Sequence, residues 1–104
     1  MNSQIKNSVE KIAKSYFGKE AEEIIPLPES GSYRKYFRVI SGSETVIAVY
    51  NEDLKENVAF LSFTKHFLKF DLPVPKILKE DLNNNVYLLK DLGDETLFSL
   101  LIKQ

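Results

Sequence analysis

The stretch Tyr36 to Tyr50, YFRVISGSETVIAVY, constrains the fold more than any other part of this chain. Tyr36 to Ile40 is aromatic or β-branched and alternates, which suits a pleated surface. Thr45 to Tyr50 is almost continuously apolar, the pattern of a well-buried strand. Between them, SGSE is a tight-turn signal, so the two strands form a hairpin. A hairpin with an apolar inner strand needs further strands and a helix to cover it.

The flanking segments supply both. Ile5, Val9, Ile12, Ala13, Tyr16 and Phe17 recur at helical spacing, which predicts an amphipathic helix over about residues 3–17. Asn2 or Ser3 can cap its start and Gly18 its end. Its polar face mixes Lys, Glu, Asn and Ser, so it is expected to pack on its own domain rather than on a membrane surface. IIPLP (Ile24 to Pro28) reads as a first strand whose prolines suit an edge. After the hairpin, NEDLKENVAFLSFTKHFLKF has an acidic first turn and a broad apolar face of Val58, Leu61, Leu68 and several Phe residues. DLPVP stops that helix. KILKED and VYLLKDL predict two more strands joined by the polar turn LNNN. ETLFSLLIKQ begins a last amphipathic helix with Asp94 as its cap. The expected fold is α+β: a five-stranded antiparallel sheet with the helix starting near Lys55 packed on one face, plus the N-terminal helix. Val46 to Tyr50 should lie in the interior of the sheet.

Length and composition fit one compact domain. The chain has 104 residues, of which 43% are hydrophobic, and 14 basic against 15 acidic residues leave a net charge of -1. That balance argues against a dedicated nucleic-acid binder. There is no cysteine, hence no disulfide and no thiolate metal site. His66, the only histidine, has no clustered second ligand and implies no metal centre. No signal peptide or membrane span is evident, so a cytoplasmic protein is expected.

The chemistry concentrates in ESGSYRKYFR, Glu29 to Arg38. Small residues run into three cations interleaved with three aromatics. Three uses are open: a loop that cradles phosphate, a strand that stacks nucleic-acid bases, or a hairpin with a solvated basic face. Ser30, Gly31 and Ser32 would let backbone amides approach phosphate oxygens closely. In an extended segment Arg34 and Arg38 share one face and Lys35 takes the other. Arg34 lies nearest the loop and is the first choice for a phosphate contact. The base-stacking use needs Tyr33, Tyr36 and Phe37 on one face, and alternation sends Tyr36 and Phe37 opposite ways.

Five pieces in order, SGSYRKYFRV, VIAVYN, ENVAF, LPVPKI and YLLKDLGDETLF, resemble the N-terminal lobe of the aminoglycoside phosphotransferase and choline kinase group. The branch they resemble most contains bacterial kinases of N-acetylated amino sugars. The resemblance implies a kinase-like nucleotide-binding lobe over residues 1–104, with ATP and Mg2+ as cofactors and a small hydroxyl compound as phosphoryl acceptor. It implies nucleotide contacts from Ser30, Gly31, Ser32, Arg34, Lys35 and Arg38, with Ala48 roofing the adenine. It gives Leu89 the back of the pocket, and lets the Lys90 carbonyl and the Leu92 amide read the adenine edge.

The chain departs from the wider kinase pattern on the third strand, where Ala-x-Lys is usual and Tyr50 follows Ala48-Val49. The lysine's task then falls to Arg34, Lys35 or Arg38, with Glu56 as acidic partner on the helix. Glu56 would equally serve the helix dipole.

No catalytic-loop or metal-binding acidic motif follows the hinge-like segment. The chain is therefore expected to be a fragment, inactive alone, with its catalytic residues and Mg2+ ligands in a missing C-terminal lobe. Leu97, Leu100 and Leu101 would then form an exposed patch through which the fragment self-associates. The competing functions are a single-strand nucleic-acid-binding module and a protein-interaction domain without a ligand.

Overall fold

The computed structural model describes residues 3–28, 34–70 and 75–91. The final helix with its Asp94 cap, the patch of Leu97, Leu100 and Leu101, and most of the DLPVP stop lie outside the described residues.

Two helices and five strands are described: α1 (Ser3–Phe17), β1 (Glu23–Pro26), β2 (Lys35–Ser41), β3 (Glu44–Tyr50), α2 (Leu54–Leu68), β4 (Ile77–Asp81) and β5 (Val86–Lys90). The strands form one sheet in the order β1-β2-β3-β5-β4. Every neighbouring pair is antiparallel. The α+β sheet expected from the sequence is thus present, with β3 at its centre.

Local chemistry accounts for the element boundaries. Gly18 ends α1 with φ +78°, its amide donating to the Lys14 carbonyl at 2.9 Å. β1 is an edge strand, so Pro26 costs the sheet no inner hydrogen bond. The β2–β3 hairpin turns at Gly42, which takes the left-handed φ of +61° between the paired Ser41 and Glu44. Asp53 caps α2, its carboxylate accepting from the Glu56 amide at 3.1 Å. LNNN is a 3-10 turn, Leu82–Asn84, closed by Asn85 in the left-handed conformation.

The strand period of two divides the core into two layers. On one face α1 contributes Ile5, Val9, Ile12 and Ala13, which pack with Phe37, Val39, Val46, Ala48, Tyr50, Val86 and Leu88. On the other, Phe60 and Leu61 of α2 pack with Tyr36, Ile47, Val49, Tyr87 and Leu89. β3 and β5 are apolar without alternation because both of their faces are covered. α2 packs on one face as expected, and α1 covers the other. One expectation needs correction. The buried stripe of α2 is Asn57, Phe60, Leu61 and Thr64, while Val58 and Leu68 are exposed. None of the described helices is long and apolar enough to cross a membrane.

Candidate functional site

The charged residues of ESGSYRKYFR are sorted by the pleat. Tyr36 belongs to the α2-side layer, and Arg34 and Arg38, each two residues from it, point the same way. Lys35 takes the α1 side with Phe37. The α2 face therefore carries one cation just before β2 and another at its middle, about 13 Å apart along the chain.

Arg34 is held on several sides. Its guanidinium meets the Glu56 carboxylate at 3.0 Å, with side-chain exposures of 14% and 36%. Its central carbon lies 5.1 Å from the centroid of the Phe60 ring. It also hydrogen-bonds the Tyr36 hydroxyl. Burial raises the Tyr36 pKa, and Arg34 pulls it part of the way back. Phe60 in turn stacks on Tyr87 at 5.6 Å between ring centroids. Burial pushes the Tyr87 phenol well above its usual range, and its hydroxyl has no hydrogen-bond partner.

Glu56 reaches Arg34 because the start of α2 is clasped to the end of β3. The Asn51 side-chain oxygen accepts from the Asp53 amide at 3.1 Å. The Asn57 amide group donates to the Asn51 carbonyl at 2.7 Å. Asn51 and Asn57 are both buried, so these bonds fix the first turn of the helix against the sheet. At the other end of α2, Lys65 pairs with Glu80 of β4 at 2.8 Å. Between Arg34 and the outer side of α2 lies an open cavity of about 380 Å³, lined by Arg34, Glu56, Ala59, Phe60 and Phe63. The guanidinium and the two phenyl rings give it a cationic edge and an apolar floor.

The second cation is bound differently. Arg38 forks onto Asp91, Nε to Oδ2 at 2.7 Å and Nη2 to Oδ1 at 3.3 Å. The Asp91 side chain is only 7% exposed. The pair reaches over β3, since Arg38 lies beside Ile47 and Ile47 beside Leu89. The sequence alone did not single out Asp91 as the partner of Arg38. Its signal was the carboxylate directly after an apolar strand, to be matched with a β2 cation on the same face.

Other expected site residues are placed as follows. Ala48 is fully buried in the layer under α1, so its methyl does not share a face with Arg34. Tyr50 also points to α1, and the third-strand residue that faces Glu56's side of the sheet is Val49. A strand buried on both faces hides its own period, so the face each of these residues takes is not legible in the sequence. Leu89 is fully buried on the Arg34 side. Lys90 is exposed, and its amide donates to the Lys76 carbonyl at 2.8 Å. Ser30, Gly31, Ser32 and Leu92 lie outside the described residues. Tyr36 and Phe37 are both buried, on opposite faces, so β2 offers no aromatic platform for base stacking. Among the described residues no three acidic, His or Cys side chains come together as a metal site.

No protein-family model matches the chain. No solved structure matches it either. Among curated proteins, the N-acetylmuramate/N-acetylglucosamine kinase of Pseudomonas aeruginosa is similar, 31% identical over 80 residues. The alignment takes in 76% of this chain and 24% of that kinase. The chain thus spans about a quarter of the relative's length, and the likeness is to a kinase, distant and partial.

Proposed function

We propose that this chain is the nucleotide-binding lobe of a kinase-like phosphotransferase, which takes the γ-phosphoryl group of ATP and passes it to a small hydroxyl acceptor. The observation that carries the reading is the Arg34–Glu56 pair. In kinase-like lobes a lysine on the third strand grips the phosphates and is oriented by a helix glutamate. Here the equivalent face of β3 presents Val49, and the cation comes from the entry of β2 instead. Glu56 still supplies the acidic partner. The planar fork of N–H donors on an arginine suits a phosphate.

In this reading the backbone of 30–32 covers the phosphates and that of Lys90 and Leu92 reads the base. Ala48 contributes as part of the central strand rather than through its methyl. The described residues fit the anionic half of ATP through Arg34. For Mg2+ the described residues bring together no carboxylate cluster; in this reading its ligands and the catalytic residues come from a further lobe. Magnesium would neutralise charge developing on the transferred phosphoryl group. The distant kinase relative favours an amino sugar as acceptor over an aminoglycoside or choline. The protein is then a cytoplasmic one.

The test is a titration of the protein carrying Arg34→Ala with ATP and magnesium, alongside the parent. Binding or turnover should weaken by about 1.5–3 kcal/mol, the range for a charge-assisted hydrogen bond. Unchanged affinity and turnover would leave the basic segment as a solvated hairpin face.

A further inference from the structure

We infer that the cavity beside Arg34 is a binding site for a small aromatic carboxylate. This goes beyond the nucleotide reading above and shares one residue, Arg34, with it. The cavity follows a single stripe of α2. Glu56, Ala59, Phe60 and Phe63 stand three and four positions apart and so line up along one side of the helix. That stripe is roughly 10 Å long, enough for a ring and a short acid chain laid end to end. The volume, about 380 Å³, lies in the range of small-molecule sites. Phe60 is buried and stacked on Tyr87, so the floor is rigid. Phe63 is 47% exposed, and covering its ring is favourable.

The charges at the rim set the sign of the ligand. Arg34 and Glu56 are unequal members of their pair. The Arg34 side chain is mostly buried, lies over the Phe60 ring and hydrogen-bonds Tyr36, which fixes it in place. The Glu56 side chain is 36% exposed and turns to water at little cost. The cation is therefore a fixed part of the site, and the carboxylate is a replaceable one. A ligand carboxylate takes the place of Glu56 on the guanidinium and uses N–H groups already committed to an acid. Its ring then packs on Phe60 and Phe63, offset or edge-on. A ligand ammonium would instead meet the guanidinium as a like charge. A second described cavity, between α1 and β1, has Lys11 and Lys14 at its rim. Its charged groups are all exposed and no aromatic ring lines it, so it holds neither half of this arrangement.

The experiment is an NMR titration of the protein with hydrocinnamate, with amide shifts followed residue by residue. Phenylpropylamine and acetate are the controls, one with the opposite charge and one without the ring. Hydrocinnamate should bind with a dissociation constant of about 1 mM or tighter and shift Glu56, Ala59 and Phe63 most. Both controls should bind at least about tenfold more weakly. Ala59→Leu fills the cavity from an exposed helical position that leucine suits, so the variant folds and should lose about tenfold in hydrocinnamate affinity. Glu56→Gln removes the competing acid and should tighten hydrocinnamate by about threefold. Shifts centred elsewhere, an amine that binds as well as the acid, an Ala59→Leu variant that binds like the parent, or weaker binding in Glu56→Gln would each overturn the site. ATP affinity under saturating hydrocinnamate should fall by about threefold or more, because both ligands use Arg34. Hydrocinnamate seated in the cavity with ATP affinity unmoved would uphold the site and overturn Arg34 as the phosphate contact. A protein that binds hydrocinnamate there but not ATP would overturn the nucleotide reading alone.

Discussion

Ile12 and Glu56 lie on opposite sides of the same five strands, in surroundings of opposite character. Under α1 the layer is mostly apolar, with Val9, Ile12 and Ala13 almost wholly shielded from water and Ser8 the one buried polar residue of the helix. Under α2 the stripe facing the sheet is half polar, Asn57 and Thr64 beside Phe60 and Leu61. Its outer surface keeps Leu54, Val58, Phe63 and Leu68 exposed. α2 is placed by particular polar contacts: Arg34–Glu56 near its start, Asn57–Asn51 behind, and Lys65–Glu80 near its end. Burial area is non-directional and sets how stable a layer is. Hydrogen-bonded charge pairs add little net stability but fix geometry. The α1 layer therefore stabilises the sheet, and the α2 layer orients the groups proposed to act.

The largest expected effect breaks or upholds this division directly. Ile12→Ala removes a side chain that is 1% exposed and leaves a void between α1 and the sheet. It should cost about 2–5 kcal/mol of folding stability. Urea unfolding followed by circular dichroism would measure it. A cost below about 1 kcal/mol would mean that α1 contributes little to the core. The next largest effect is on the other side. Arg34→Ala, expected to weaken ATP binding by about 1.5–3 kcal/mol, should cost less stability than Ile12→Ala does. If the order were reversed, with stability lost and binding kept, the α2 face would be as structural as the α1 face.

How far the sequence revealed each layer follows the same division. α1 was legible to its ends, because Ile5, Val9, Ile12 and Ala13 mark one stripe and Gly18 closes it. The hairpin was legible because its turn chemistry is local. The face assignments were not. α2 carries apolar residues all round, so periodicity could not tell Leu61, which is buried, from Val58, which is exposed. β3 hides its phase for the same reason, so the burial of Ala48 on the α1 side was not legible. A cation for Glu56 was anticipated among Arg34, Lys35 and Arg38, and Arg34 is the one that pairs with it. The pairing of Arg38 with Asp91 depends on contacts 53 positions apart and was not.

A smaller effect concerns Tyr87, whose buried hydroxyl has no hydrogen-bond partner. Tyr87→Phe should leave stability at neutral pH unchanged or raise it by up to about 1 kcal/mol, because an unsatisfied polar group is removed at nearly constant shape. The pH dependence sharpens this. An unfolded tyrosine ionises near pH 10. Folded Tyr87 holds its proton to higher pH because burial opposes the charged form. Above about pH 10 the unfolded chain therefore binds fewer protons than the folded one, and stability falls as pH rises. Below that pH the contribution is fully present. Tyr36 is shifted the same way, so Tyr87→Phe should flatten the alkaline decline only in part. Thermal melts at pH 8 and pH 11 would read it, and an equally steep decline in the variant would show that Tyr87 opens to water before it ionises.

The smallest effect tests whether the far end of α2 is held as its start is. Lys65 and Glu80 meet at 2.8 Å, but their side chains are 55% and 33% exposed. Water screens such a pair, and ordering two long side chains costs entropy, so exposed pairs contribute about 0.2–1 kcal/mol. Lys65→Gln should therefore lower stability by no more than about 0.5 kcal/mol, and less still at high salt. ATP affinity should not move, because the Asn51–Asn57 clasp already fixes the turn that carries Glu56. If Lys65→Gln instead weakened ATP binding as much as Arg34→Ala, α2 would be positioned as a rigid lever by both of its ends. Orientation of Arg34 would then depend on the whole helix rather than on its first turn.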